Sequence, residues 1–399
     1  MATRYAVIGA GVAGSNACQA IRELDAKGEI HVFTDEAYPF YTRIRLPELV
    51  SGRAAPERLV LKGEAWFRDH KIDLHLKERV QEIQREPFIV VTVRGRYPAD
   101  RLLLATGGYS FVPPISGADL DGVFTLRTMA DALQIAARAQ RSETAMVIGG
   151  GLLGLEAGNG LRLRGLEVHV AEIFDRLLPR QMDPTGARIL QRIMEGMGFR
   201  FYLGVQSKEI QGERGRARQL VLGDGRVLES DMFLISAGVR PHLDLAKQLD
   251  LKIGRGILVD DRMQTSAAGI YAAGDAVEHL GVYYGIWPAA EEQGRVAGVN
   301  MASGEALYEG TVLSNQLKVV GIDLVSAGEI DAEGKLESEV VSDPERGVYR
   351  KVVYEDDRIA GCILLGDVSG QRKILSALKR KVSVGFLKGR VLLDPRALP

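Results

Sequence analysis

Three glycines in the order Gly-x-Gly-x-x-Gly stand where phosphate chemistry would need them, and they do so twice. The first set is Gly9, Gly11 and Gly14; the second is Gly149, Gly151 and Gly154. In such a loop the first glycine permits a tight turn, the second lets a pyrophosphate approach the main chain, and the third lets a helix pack on a strand. The helix that follows, opening here with Leu152 and Leu153 in the second copy, aims its N–H groups and the positive end of its dipole at the phosphates. Acids that could accept hydrogen bonds from ribose hydroxyls lie downstream: Asp35 and Glu36 after the first set, Glu172 after the second. A carboxylate at Glu172 repels a 2′-phosphate, so the second site is expected to prefer NAD(H) over NADP(H), with Arg176 as the opposing charge nearby. One such loop is weak evidence. Two, each with its acid, read as two dinucleotide sites.

The elements that position these residues repeat as well. Each loop follows a short apolar strand (Tyr5–Ile8, Ala145–Ile148), opens a helix (Val12–Leu24, Leu152–Arg164) and returns to a strand (Glu29–Thr34, Glu167–Glu172). That order, met twice, is what a parallel, doubly wound sheet requires. Three later segments belong with them: Leu102 to Gly108, a strand ending in Ala105-Thr106-Gly107; Phe233 to Pro241, carrying Ala237 and Gly238; and Gly269 to Ala276, carrying Gly274 and Asp275. Gly274 permits close approach, and Asp275 could accept hydrogen bonds from a ribityl chain. By itself Gly-Asp is a plain turn; its place after both loops gives it meaning.

Composition sets the outer bounds. With 399 residues the chain suits two or three domains. A hydrophobic share of 46% and a charged share of 26% exclude wholesale disorder. Lysine and arginine (51) balance aspartate and glutamate (52), so no basic field points to nucleic acid. Two lone cysteines, Cys18 and Cys362, form neither a disulfide framework nor an iron–sulfur site. Six histidines without an HxxxH pair give no reason to expect a metal. No apolar run is long enough to span a membrane, and Met1 leads at once into a strand without a signal-peptide pattern. The expected location is the cytoplasm.

Taken in order, the first loop, Ala-Thr-Gly, the second loop, Ala-Gly-x-Arg-Pro and the late Gly-Asp resemble the FAD-dependent pyridine nucleotide-disulfide oxidoreductases over nearly the whole chain. The resemblance implies an α/β fold: two Rossmann-like, doubly wound domains (glutathione-reductase-like) and a small α+β C-terminal domain. The implied FAD domain is residues 1–108 plus 235–309, the NAD domain 109–234 and the C-terminal domain 310–399. FAD would then be held by Gly9, Gly11, Gly14, Asp35, Glu36, Arg43, Val80, Ala105, Thr106, Gly107, Gly274, Asp275, Trp287 and Gln293. NAD(H) would be held by Gly149, Gly151, Leu152, Leu153, Gly154, Glu172, Ala237 and Gly238. Within the superfamily, the segment from Pro39 to Gly52 and the one from Leu317 to Gly328 are similar to rubredoxin–NAD reductases and to the flavoprotein part of assimilatory nitrite reductases. That likeness implies Arg43 near the FAD phosphates, Glu156 near the nicotinamide–flavin contact and Gln293 flanking the flavin. Trp287 either caps the flavin face or fills the core.

Departures from the superfamily narrow the chemistry. Its disulfide reductases place redox cysteines where this chain has Arg43, Ile44 and Arg45. The expected reaction is therefore hydride transfer from NADH to flavin and direct delivery onward to a carrier such as rubredoxin. Related ferredoxin reductases pair a lysine with the glutamate of the NAD helix; Arg45 is its expected substitute opposite Glu156. Two alternatives stay open: a flavin- and NAD-binding subunit of a larger, nitrite-reductase-like assembly, or an NADH oxidase. From Gln371 to Pro399 there are eight basic residues (Arg372, Lys373, Lys379, Arg380, Lys381, Lys388, Arg390, Arg396) and a single acid, Asp394. Such a stretch would steer an acidic carrier, unless it is simply a solvated surface. A homodimer or a larger redox complex is compatible with all of this.

Overall fold

Short apolar strands alternating with helices rich in alanine and glycine build two parallel sheets, one around each glycine loop. The computed structural model describes residues 2–312 and 314–398, without the side chains of 314–319. Of the segment from Leu317 to Gly328 that carries part of the family likeness, the side chains of 317–319 thus lie outside the described residues. The chain divides into two compact units: Met1–Arg45, Ala55–Ser110 and Val239–Thr311 form one, and Leu46–Ala54, Phe111–Gly238 and Val312–Pro399 the other.

The first unit is centred on a five-stranded parallel sheet in the order Ile270–Ala272, Arg101–Leu104, Arg4–Ile8, Glu29–Phe33, Ile72–His75. Its strands are apolar on both faces because both are covered: Val7, Val32, Leu102, Leu103 and Leu104 have no exposed surface. The helix after the first loop, Val12–Leu24, packs on the Trp287–Met301 helix through glycines. A Cβ at Gly294 would lie 2.2 Å from the Ala13 carbonyl oxygen, and one at Gly298 would lie 2.4 Å from that of Ala17. The two helices meet backbone to backbone, which fixes the glycine loop relative to the N-terminal turn of the second helix.

At the sheet's edge a buried polar chain carries a pH dependence. His31 Nδ1 lies 3.1 Å from His75 Nε2, and His75 Nδ1 lies 3.2 Å from Glu78, whose side chain is buried. A carboxylate can only accept, so His75 donates to Glu78 from Nδ1. Burial, reinforced by the neighbouring His75, pushes the His31 pKa down. For Glu78 burial works upward, but hydrogen bonds from Thr92 and Tyr97 and the field of His75 outweigh it, and its pKa is lowered. In both cases the unfolded chain binds the proton more tightly, so stability is lost as pH falls. The loss begins as pH falls through the ordinary histidine range for His31 and through the ordinary carboxylate range for Glu78, and is complete below their lowered folded values. A thermal midpoint followed from pH 8 to pH 5 is expected to drop, and His31→Phe, which can stack on Phe33, is expected to flatten that slope.

The second unit repeats the arrangement. Its parallel sheet runs Val123–Thr125, Met232–Ile235, Thr144–Ile148, Glu167–Glu172, Arg200–Leu203. In the same unit lies an antiparallel sheet ordered Ser314–Val319, Ile322–Gly328, Arg358–Leu365, Val348–Glu355, Glu337–Asp343, with the Gln371–Arg380 helix against it through Ile374 and Ala377. The α/β class, the two doubly wound sheets and the small α+β domain are thus as the sequence implied. Asp183, which caps the Pro184–Gly196 helix, also accepts from the Tyr349 hydroxyl and lies 3.4 Å from Lys351 Nζ, so a buried ionic group ties that helix to the antiparallel sheet. The short Leu46–Ser51 helix packs here too: a Cβ at Gly160 would lie 2.9 Å from the Pro47 carbonyl oxygen, and Arg164 donates to the carbonyl of Val50. Among the described residues no helix is long and apolar enough to cross a membrane.

Candidate functional site

The two glycine loops are alike in detail, and within each the three glycines are required for different reasons. Gly9 and Gly149 have φ of +115° and +118°, and a Cβ on either would lie 2.1 Å from the Ala105 or 2.2 Å from the Ser236 carbonyl oxygen. Both are excluded to other residues by backbone and space alike. Gly14 and Gly154 face the carbonyl oxygens of Gly9 and Gly149, where a Cβ would sit 1.9 and 2.3 Å away. Gly11 and Gly151 differ. Their φ values of −77° and −78° suit any residue, and nothing lies within 4 Å of a Cβ on either. Each is the N-cap of its helix, and neither supplies a side-chain cap. The fold does not need glycine there. An uncapped helix N-terminus facing open space fits a pyrophosphate.

Around the first loop, Glu36 rather than Asp35 is built into the site. Asp35 is exposed, whereas Glu36 accepts from the Tyr41 hydroxyl and the Arg43 guanidinium. Arg43 also donates to Tyr41 Oη at 3.0 Å and feels the charge of Asp275. Three of the charged residues expected to serve FAD therefore share one network. Gly274, at φ +81°, opens the turn after Ile270–Ala272, and Tyr283 donates to the Asp275 carbonyl oxygen at 3.0 Å. Ala105 bonds through its N–H to Ile8 and blocks Gly9; Thr106 donates to the His242 carbonyl oxygen; Gly107 holds φ +63°. Val80 begins a strand and is buried in the core. Trp287 opens its helix half-buried, its ring 5.7 Å from Phe40. Gln293 is buried and spends its Oε1 on the Gly274 N–H at 2.9 Å.

Around the second loop, Glu172 is buried and braces its surroundings. It accepts from the N–H of Gly150 and, at 2.9 Å, from that of Phe174. Carboxylate lone pairs remain for further donors. Leu152 and Leu153 form the first turn of the helix, and Ala237 and Gly238 follow the Met232–Ile235 strand, Gly238 at φ +105° with open space beside it. Sequence reasoning missed Ile173 and Phe174, which are 64% and 54% exposed directly after the acid. They are an exposed apolar pair next to Glu172, and two large apolar residues just past a strand end were the available signal. Arg176 is turned into its own loop, paired with Asp175 at 2.9 Å and donating to the Met182 carbonyl oxygen.

Glu156 and Arg45 each have a partner of their own. Glu156 accepts from the Val320 N–H, and burial outweighs that bond to push its carboxyl pKa up. Arg45 is half-buried and donates to the Arg58 carbonyl oxygen at 3.0 Å. Both cysteines are free and buried, and burial pushes each thiol up to about 12. Neither is a competent thiolate nucleophile. No group of residues suited to a metal ion occurs among the described residues.

Comparison with known proteins agrees with this geometry. The model of the pyridine nucleotide-disulphide oxidoreductases matches residues 3–306, and that of the rubredoxin NAD+ reductase C-terminal domain matches residues 314–382. The nitrite reductase [NAD(P)H] of Bacillus subtilis is 36% identical over 98% of this chain, which spans 49% of that protein. The chain thus covers about half the length of that relative. The NADH-rubredoxin oxidoreductase of Clostridium acetobutylicum is 29% identical, with 94% of each chain covered. Among solved structures, a ferredoxin reductase from Rhodopseudomonas palustris superposes with a TM-score of 0.88 at 26% identity, covering 99% of this chain and 100% of that one. With both glycine loops, both acids and the late Gly-Asp inside the matched region, the chain belongs to the pyridine nucleotide-disulphide oxidoreductase family.

Proposed function

We propose that this chain binds FAD at the first loop and NADH at the second, and passes electrons from NADH to a protein carrier such as rubredoxin. The observation that carries the reading is the pair of uncapped helix N-termini at Gly11 and Gly151, each open to a ligand and each followed by a fixed carboxylate. Bound flavin supplies hydride acceptance and the ability to release electrons singly. The chain's residues do the holding. Glu36 and Glu172 take ribose hydroxyls, the loops take the phosphates, and Ile173 with Phe174 offers the adenine an apolar shelf. Arg43 offsets phosphate charge. With both thiols buried and protonated, no disulfide relays the electrons.

An acidic carrier suits the C-terminal surface. Arg372, Lys379, Arg380, Lys381, Arg390 and Arg396 are exposed, while Lys388 is held by Glu337 and Asp357. Among these cations, Phe386 and Leu393 are each 76% exposed. An aromatic anchor with a basic rim is the composition of a docking site for an acidic protein. A second reading, a flavin- and NAD-binding subunit of a larger assembly, is favoured by the half-length match to nitrite reductase. The deciding experiment is NADH-driven bleaching of the flavin-loaded chain, then turnover with ferricyanide and with rubredoxin at rising salt. Carrier reduction is expected to fall as salt screens the encounter, with ferricyanide turnover less affected. Bleaching without reduction of any soluble carrier would favour the assembly, and carrier reduction indifferent to salt would remove the docking surface. Failure to bind FAD would overturn both readings.

A further inference from the structure

We propose that Gln293 is a positioning residue of the first nucleotide site, acting on the ligand through Gly274 rather than forming a wall of the flavin pocket. The inference rests on the reading of that site as an FAD site. Gln293 lies in the second turn of the Trp287–Met301 helix and is 1% exposed, so no face of it is offered to a ligand. Its Oε1 takes the Gly274 N–H at 2.9 Å. Gly274 sits at φ +81°, where a Cβ would come within 3.0 Å of the Ala13 Cβ, so the turn is pressed against the helix of the first glycine loop. Next in the chain is Asp275, whose charge reaches Arg43 and through it the network of Glu36.

The peptide entering Gly274, one residue before Asp275, therefore has its orientation set by one side-chain bond from inside the protein. That bond is held from behind. Gln293 Nε2 makes no hydrogen bond of good geometry, yet it lies near enough to perturb the buried Tyr308 phenol. Tyr308 in turn bonds Thr311 at 2.8 Å and packs edge-on against His279 and Tyr284. A side chain wedged in this way has little freedom to release Gly274. Without the Oε1 acceptor the half-buried Gly274 N–H would lose its partner, and the turn would relax where Asp275 needs it fixed.

The test compares Gln293→Met, which fills the same space without an acceptor, with Gln293→Glu, which keeps one. FAD binding to the flavin-free chain is followed by quenching of flavin fluorescence, and exchange of the Gly274 amide by hydrogen–deuterium exchange. Gln293→Met is expected to weaken FAD binding by about tenfold and to speed Gly274 exchange by a similar factor, the loss of one bond to a half-buried donor. Gln293→Glu is expected to recover most of both, and the visible circular dichroism of the bound flavin should change only in the methionine variant. Flavin binding equal to the unsubstituted chain, with only the melting point of the flavin-free protein lowered, would overturn the proposal and leave a packing role. If Gln293→Met does not fold, slow Gly274 exchange and tight binding in Gln293→Glu support it, and fast exchange there overturns it. Should the unsubstituted chain itself take up no FAD, the assignment of the first site fails instead.

Discussion

Gly11→Val is expected to yield a chain that folds as well as the original and purifies without flavin. At φ −77° a β-branched residue is unstrained, and its Cβ meets nothing within 4 Å, so the flavin-free stability should fall by no more than about 1 kcal/mol, the cost of a poorer N-cap. The same side chain would stand over the N–H groups that a pyrophosphate must reach. Gly9→Ala is expected to behave in the opposite way. Its Cβ would be driven to 2.1 Å from the Ala105 carbonyl oxygen at φ +115°, combining backbone strain of about 1–3 kcal/mol with overpacking of about 1–3 kcal/mol. Stabilities must be compared without flavin, because a ligand that binds only the folded state raises the melting point by mass action. The measurement is the 450-to-280 nm absorbance ratio beside the melting point of the stripped protein. A yellow Gly11→Val protein would overturn the assignment of the loop, and an unfolded one would show that the open space is not open. Gly151→Val should leave flavin binding intact and weaken only NADH.

The repeated loops were legible in the sequence because their constraint is local: a turn, a helix start and a strand lie within a few residues of each glycine. What was not legible depends on partners far along the chain. Asp35 and Glu36 are equivalent candidates as neighbours in sequence, and only Tyr41 and Arg43 select Glu36. The Leu46–Ser51 helix interrupts the first compact unit and belongs to that of the second glycine loop, where Gly160 and Arg164 receive it. Nothing within that helix announces the exchange. The backbone N–H that Glu156 accepts from lies more than a hundred residues away, at Val320, and nothing local to its helix foretells that bond. Phe386 and Leu393 read as ordinary apolar residues until Val384, Val391 and Leu392 beside them fill the core and leave these two outside.

Replacing Glu172 separates its two tasks. With alanine there, the chain loses an acceptor for ribose hydroxyls, and the KM for NADH is expected to rise about 10–100-fold, as for a hydrogen bond to a charged group. The ribose is remote from the reacting carbon, so kcat should change little, the pattern of lost uniform binding. For NADPH the same substitution removes a repulsion, so the ratio of kcat/KM for NADH over NADPH should fall by about tenfold or more. Glu172→Arg should lower the ratio further by pairing with the 2′-phosphate. Arg176 gives limited help in Glu172→Ala, since Asp175 and the Met182 carbonyl hold it; adding Asp175→Ala should raise NADPH turnover again. The carboxylate also braces the N–H groups of Gly150 and Phe174, and a weakened loop would penalise both nucleotides. A loop defect lowers the two kcat/KM values in parallel and leaves their ratio where it was, whereas a lost ribose contact moves the ratio. An unchanged ratio in Glu172→Ala would therefore reduce Glu172 to a brace and leave the choice of nucleotide to other residues of the site.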